Sequence, residues 1–255
     1  MPARSLSLFA LSGLPLVQRG DDLPRLILQA LVRDQLALQD GDVVVLAQKI
    51  VSKSEGRLVP LAGVQPSERA RELAQATGKD PRVVELILRE SNEVLRFRHE
   101  LLVVEHRLGF VMANAGIDMS NVAQEHGECA LLLPEDPDAS CAALRAGLRE
   151  ATGADVGVVI NDSHGRAWRN GTVGVAIGVA GMPALHDRRG EPDLFGRRLQ
   201  ITEVGMADEV AAAASLLMGQ AAESAPVILV RGLSLPRREG DARELIRPRD
   251  MDMFR

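Results

Sequence analysis

The sequence predicts a mixed α and β fold, and three observations carry that reading. Short, wholly apolar, β-branched runs recur at Val43-Val44-Val45-Leu46-Ala47, Val156-Gly157-Val158-Val159-Ile160 and Val227-Ile228-Leu229-Val230, as in strands covered on both faces. Between them lie amphipathic stretches with capping residues at their starts, the mark of helices. No strand, Gly-rich loop and helix fingerprint occurs, and no P-loop signature, so the alternation of elements comes without the usual phosphate loops of open α/β folds. Periodicity taken alone is still compatible with such an open sheet.

In chain order, residues 6–11 read as a first strand, expected to be central, turned by Ser12-Gly13-Leu14-Pro15. Gly20-Asp21-Asp22 caps a helix over 23–35 with Leu23, Leu26, Ile27, Ala30 and Leu31 on one face. After the strand 43–47 comes Gln48-Lys49-Ile50-Val51-Ser52-Lys53-Ser54-Glu55-Gly56-Arg57. This is either a second strand with solvated lysines or a polar strand exit that meets phosphate. Lys53 is the better phosphate candidate, because a flexible ammonium can follow shifting charge. Ser67 caps a helix ended by Gly78, and Pro81 starts another to about residue 91. Residues 94–104 and 109–112 read as β-structure around a turn, with His99 and His106 on its surface. Asp118 and Asn121 flank a turn that is either an Asx motif or an offer of carboxylate and amide to a metal–phosphate group. The acidic, proline-bracketed stretch 134–140 leads into a helix over 140–152, its carboxylates complementing the helix N-terminus.

The strand 156–160 is expected to stop at Asn161-Asp162-Ser163-His164-Gly165-Arg166. That puts Asp162 at a strand end, followed by Arg166, Trp168 and Arg169. A carboxylate beside two guanidiniums suits either a metal with an anionic substrate or a tight turn with a surface salt bridge. Residues 173–181 alternate small and branched side chains, as in a strand packed closely against another backbone. An Ala-rich helix is predicted over 202–218, a last strand over 226–232, and a charged peripheral tail over 236–255.

The composition narrows the function. At 255 residues, net charge −5 and 2% aromatic with no Tyr, neither a basic nucleic-acid face nor a base-stacking platform is announced. Cys129 and Cys141 form neither a disulfide framework nor a zinc spacing. No apolar run approaches a membrane span, and the N-terminal apolar stretch is broken by Gly13 and Pro15, so a cytoplasmic protein is expected.

SGLPLV, GDVVVLAQKIVSKSEGR, ANAGIDMSN, LLPEDPDAS, INDSHGRAWRNGTVGVAIGVAG, ADEVAAAASLLMGQ and PVILVRG together, in this order, resemble the coenzyme F420-0:γ-glutamyl ligase family in its stand-alone form. The resemblance spans residues 8–235 and implies one ligase domain over 1–235, with 236–255 as the tail. It implies an α+β fold with a mixed β-sheet and flanking helices, in two intimate subdomains that form an intertwined homodimer. It implies a ligase that uses GTP to phosphorylate the terminal carboxylate of F420-0, after which the amine of L-glutamate attacks the acyl phosphate; later glutamates join through the γ-carboxylate. Asp118 and Asp162 are implied as catalytic metal carboxylates, with Ser163, where the family usually has Thr, and Gln220 as further ligands. The cations implied are two divalent ions, Mg2+ or Mn2+, with a monovalent ion such as K+. The nucleotide positions implied are Ser12, Gly13, Leu14, Pro15, Gln48, Lys53, Asn121, Met218, Gly219, Gln220, Ala221, Ala222, Glu223, Ser224 and Ala225. Gln48 and His164 depart from the commoner family residues. Arg166 and Arg169 are candidates for anionic substrate from the residues alone. A related ligase with another acid acceptor or ATP, and a non-catalytic nucleotide-binding protein, are the competing readings.

Overall fold

The computed structural model describes residues 4–119, 127–234, 236 and 238–253. Its centre is a five-stranded sheet in the order β1 (Ser7–Ala10), β12 (Val227–Arg231), β2 (Val43–Ala47), β8 (Gly157–Arg166) and β9 (Arg169–Ala180). Only β2 and β8 are parallel; the other neighbours are antiparallel. The sheet is therefore mixed, as the α+β expectation required. The first strand is an edge strand rather than a central one, because β12 returns from the far end of the chain to pair between it and β2.

The apolar runs are continuous because the sheet is covered on both faces. Side chains alternate across a strand, so Val44, Leu46, Val158 and Ile160 pack with α1 (Leu23–Arg33) and α5 (Pro137–Thr152). Val43, Val45, Val159, Ile228 and Val230 pack with α6 (Met206–Met218). The caps follow their chemistry: Asp22 accepts from Arg25 N, Ser67 from Ala70 N, Asp80 from Arg82 N and Asp136 from Ala139 N. Asp136 opens α5 at Pro137, three residues before the predicted start, since proline is suited to the first helical position.

A third apolar cluster joins α3 (Glu68–Thr77) and α4 (Pro81–Arg89) to the sheet β4 (Ser91–Arg98), β5 (Leu101–His106) and β6 (Val111–Ala113). The β-structure and turn expected here are present. The short pair β3 (Leu58–Pro60) and β7 (Cys129–Leu131) borders the cluster. The hairpin arm after β9 carries the small pair β10 (His186–Asp187) and β11 (Glu203–Val204). Both cysteines are buried and unbridged. Among the described residues, no helix is long and apolar enough to cross a membrane.

Four further expectations need correcting. Residues after β2 form a helix, α2 (Gln48–Ser54), not a strand. The polar stretch 161–166 continues β8, because β9 pairs it residue by residue, with Asp162 opposite Val175 and Ser163 opposite Gly174. Backbone pairing, not apolar packing, sustains this half of the strand. His106 is fully buried rather than on the surface: it stacks on Phe110 at 5.1 Å, and its Nδ1 accepts from Leu108 N. His99 is exposed as expected. The tail is partly docked: Ala242 is buried, and Glu239 and Glu244 accept from Gly181 N and Leu185 N past the end of β9.

The close strand–backbone approach is real. A Cβ on Gly174 would overlap Ser215 Oγ and lie 2.6 Å from the Ala211 carbonyl oxygen of α6; one on Gly178 would lie 2.5 Å from the Pro137 carbonyl oxygen. We predict that Gly174→Ala destabilises the protein by about 1–3 kcal/mol through forced displacement of α6, measured by urea unfolding; an unchanged midpoint would refute this packing.

Glu90 is nearly buried between Arg57 Nη2 at 2.9 Å and Arg107 Nε at 3.0 Å, with His106 Nε2 at 3.6 Å. Burial pushes its carboxyl up, but His106 and the two guanidiniums outweigh this and hold it at about 2. The nitrogen of His106 stands beyond hydrogen-bond length, and burial lowers its own pKa, so at neutral pH the two arginines carry the pairing. A depressed carboxyl pKa stabilises the fold fully above the unfolded value of 4.5. That stability is lost as pH falls toward 2. Glu90→Gln is expected to cost about 3 kcal/mol at pH 7, the gap to the parent shrinking below pH 4.5. Urea titrations at several pH values check this, and a pH-independent gap would count against it.

Candidate functional site

The parallel pairing of β2 with β8 sets Ala47 opposite Asn161, and Ala47 N donates to Pro226 O at 2.8 Å. The exits of β2 and the middle of β8 therefore meet the approach to β12. A cavity of about 450 Å³ opens there. Four stretches line it: residues 14–17 after β1, Ala47–Ile50 with Lys53, residues 161–163 of β8, and the segment after α6 from Met218 to Pro226 without Glu223.

Most of the positions expected from sequence converge on this cavity. Leu14, Pro15, Gln48, Lys53, Asp162, Ser163, Met218, Gly219, Gln220, Ala221, Ala222, Ser224 and Ala225 all line it. Gly13 and Glu223 adjoin lining residues without lining it themselves, and Ser12 stands one residue further back. The Glu223 carboxylate turns back to accept from Ala221 N at 2.8 Å. Asn121 lies outside the described residues. Arg166 and Arg169 face each other across the end of the β8–β9 hairpin, exposed and away from the cavity lining, with Arg166 Nη1 donating to Gly171 O at 3.0 Å.

Lys49 and Lys53, four apart, are conspicuous in a chain whose cations are nearly all Arg, and only Lys53 is expected at phosphate; on a helix that spacing places both on one face. Once residues 48–54 are helical, both lysines line the cavity. Lys49 Nζ is 2.6 Å from Asp118 Oδ2, which draws that carboxylate to the cavity rim. Asp118 is fixed by a two-way backbone bridge with Leu131 at 3.0 and 2.8 Å. Burial lowers the Lys53 pKa, and Lys49 lowers it further against the opposing pull of Asp118. Two ammonium groups and a carboxylate thus share one electrostatic environment.

On β8, successive side chains point to opposite faces. Asn161 turns toward α6, its Nδ2 donating to Ser215 Oγ at 3.0 Å. Asp162 Oδ2 stands 3.1 Å from His164 Nε2, a distance for charge pairing but bent out of hydrogen-bond alignment. The His164 ring rests against Phe110 at 5.7 Å. Ser163 Oγ donates to Gln220 Oε1 at 2.8 Å, so two of the oxygens expected to hold a cation already touch. Gly219 at φ +70° makes the bend that brings Gln220 round; a Cβ there would collide with Glu223.

The donor set suits a hard cation. Carboxylate, hydroxyl and amide oxygens are the ligands that magnesium and manganese take, and such ions are commonly completed by substrate phosphates. Among the described residues, no group of three or more His, Cys, Asp or Glu could hold a metal ion, so Ser163, Gln220 and a phosphate-bearing ligand would have to complete the shell. Asp118 already holds one cationic group, the Lys49 ammonium. Two other cavities are larger, about 630 Å³ beside the N-terminus of α5 and about 780 Å³ along α1 and α5. Neither contains the converging lysines and oxygen donors.

Comparison with known proteins identifies the family. The family model for F420-0:gamma-glutamyl ligase matches residues 13–232. The coenzyme F420:L-glutamate ligase of Methanothermobacter thermautotrophicus is 49% identical over 252 residues, covering 98% of this chain and 99% of that protein. The enzyme of the same name from Methanopyrus kandleri is 49% identical over 243 residues, covering 94% and 93%. That from Archaeoglobus fulgidus is 44% identical over 250 residues, covering 98% and 96%. With a family model matched across four of the five sheet strands and all four lining stretches of the cavity, the chain belongs to the F420-0:γ-glutamyl ligase family.

Proposed function

We propose that the protein joins L-glutamate to coenzyme F420-0 with GTP as the phosphoryl donor. The observation that carries the reading is the cavity itself. Lys49 and Lys53 stand there with Asp162, Ser163 and Gln220, and Asp118 is paired to Lys49. This is the combination of cationic and hard oxygen groups that phosphoryl transfer requires.

In this reaction a terminal carboxylate oxygen of F420-0 attacks the γ-phosphorus as the bond to GDP breaks. The amine of glutamate then attacks the acyl carbon, the amide forms, and phosphate leaves with the proton balance passing to solvent. Repetition at the γ-carboxylate would give polyglutamate forms. Lys53 suits the phosphate chain because burial destabilises its ammonium, so an arriving anion recovers that cost. Leu14, Pro15 and Val17 supply an apolar wall on which a purine can lie, and the segment from Gly219 to Ala225 supplies main-chain polar groups opposite. A pair of divalent cations of the magnesium or manganese type, held by Asp118, Asp162, Ser163 and Gln220, would supply neutralisation of the phosphoryl oxygens; a monovalent ion such as K+ belongs to the same reading. Asp162 is held in place for that task by its strand neighbours and by His164.

The two-subdomain, intertwined-homodimer arrangement belongs to the proposal as well. Trp168, on the β8–β9 tip, and Leu194 and Phe195, on the following arm, are 89–98% exposed, and large apolar side chains left this exposed suit a protein interface.

Mass spectrometry of F420-0 incubated with GTP, L-glutamate and manganese tests the reaction. Addition of glutamyl units with GTP and not with ATP is expected; no product with either nucleotide sinks the proposal. Asp162→Asn should abolish glutamylation with the circular dichroism spectrum unchanged, and retained turnover would remove Asp162 from its assigned role. GDP with manganese at a hundredfold its dissociation constant should stabilise the protein by roughly 2.7 kcal/mol, with ADP leaving the melting curve in place.

A further inference from the structure

The wall formed by residues 14–17 has no regular structure of its own; it is held by apolar side chains at its ends and by one polar clamp at Ser12. Leu11 and Val17 are buried at its two ends, and Leu11 N donates to Val227 O at 3.0 Å. Between them, every hydrogen-bonding group of Ser12 is taken by the C-terminal end of α1. Ser12 N donates to Asp34 Oδ2 at 2.7 Å, Ser12 Oγ donates to Asp34 Oδ1 at 2.5 Å, and Arg33 Nη1 donates to Ser12 O at 2.8 Å. The Arg33 guanidinium then covers Gly13, which turns at φ +63°; a Cβ there would overlap Arg33 Nη1 and lie 2.7 Å from Cζ.

We propose that Asp34, assisted by Arg33, is a positioning residue for nucleotide binding: it holds Ser12 as an anchor so that residues 14–17 stand as one wall of the cavity. This rests on the nucleotide reading of the cavity given above. On this account Ser12 and Gly13 act through the clamp, which explains why neither lines the cavity. Both carboxylate oxygens are used, so the clamp fixes orientation as well as distance. The same hydrogen bonds from Ser12 lower the Asp34 pKa, in keeping with a carboxylate held charged. Asp34 takes no part in the apolar packing that holds α1, which comes from Leu23, Ile27, Ala30 and Leu31. The clamp lies at the exposed end of α1, away from the core cluster. Losing it should therefore loosen the wall and leave the fold.

Three variants test this in the full-length protein: Asp34→Ala, Asp34→Asn and Ser12→Ala. Asp34→Ala is expected to raise the KM for GTP and the GDP dissociation constant about tenfold, with kcat, the KM for glutamate and the melting temperature retained. Asp34→Asn should recover most of the loss, since its amide oxygen can accept from Ser12 N and its amide nitrogen can donate to Ser12 Oγ. Ser12→Ala keeps only the backbone contact, so its effect should fall between the parent and Asp34→Ala. Hydrogen exchange of the amides at 13, 14, 16 and 17 should accelerate in Asp34→Ala without nucleotide. Unchanged exchange, or a wild-type KM for GTP beside a lowered kcat, overturns the clamp. Accelerated exchange in a protein whose parent form binds no guanine nucleotide leaves the anchor standing and overturns the nucleotide reading and, with it, the assignment of Asp34 to nucleotide binding.

Discussion

The parallel register of β2 with β8 is the constraint on which the site depends. It places Ala47 beside Asn161, residues more than a hundred positions apart, and so sets the lysines of α2 against the carboxylate of Asp162. A shift of one residue would turn Asp162 to the opposite face, because side chains alternate along a strand. The register is secured by apolar side chains on both faces of β2. Val43 and Val45 are locked beneath α6, and Val44 and Leu46 beneath α1 and α5. Slippage would bring both packings out of step together.

The second half of β8 shows how a strand can carry polar side chains out of the core toward a cavity. Residues 157–160 are buried and held by packing. From Asn161 onward the same strand is held by its ladder with β9, including a register shift between Ile160 and Asn161. Such an irregularity re-aims side chains next to functional sites. Gly174 then lets α6 approach the ladder closely, so the turn after α6 delivers Gln220 to Ser163. One hairpin thus joins the core to the oxygen donors.

Charge is handled differently on the two sides of the molecule. In the Glu90 cluster the carboxylate is paired with Arg57 and Arg107, and it binds the third apolar cluster to the loop at 133–135, where the same two arginines donate to main-chain carbonyls. The cavity instead concentrates Lys49 and Lys53 near carboxylates, with burial working against the Lys53 charge. The first arrangement favours a fixed structure, the second an incoming anion.

The sequence by itself determined the buried strands, the capped helices and the small-residue strand, because each follows from local periodicity, capping chemistry or close packing. It also marked Asp118, Asp162 and Lys53, through their motifs in family order. It could not decide that residues 48–54 are helical, since seven residues of mixed polarity carry too little periodic signal, and so it ranked Lys53 above Lys49 when the helix brings both to the cavity. It misjudged His106, because a histidine in a charged stretch gives no sign that Phe110 and Glu90 will enclose it. It ended β8 early, because pairing with β9 is a non-local property. Only the tertiary structure decided that four distant stretches share one cavity, that Arg166 and Arg169 stand outside its lining, and that Ser12 is claimed by Asp34. Each of these depends on strand register and helix placement, which are set by contacts between residues far apart in the chain.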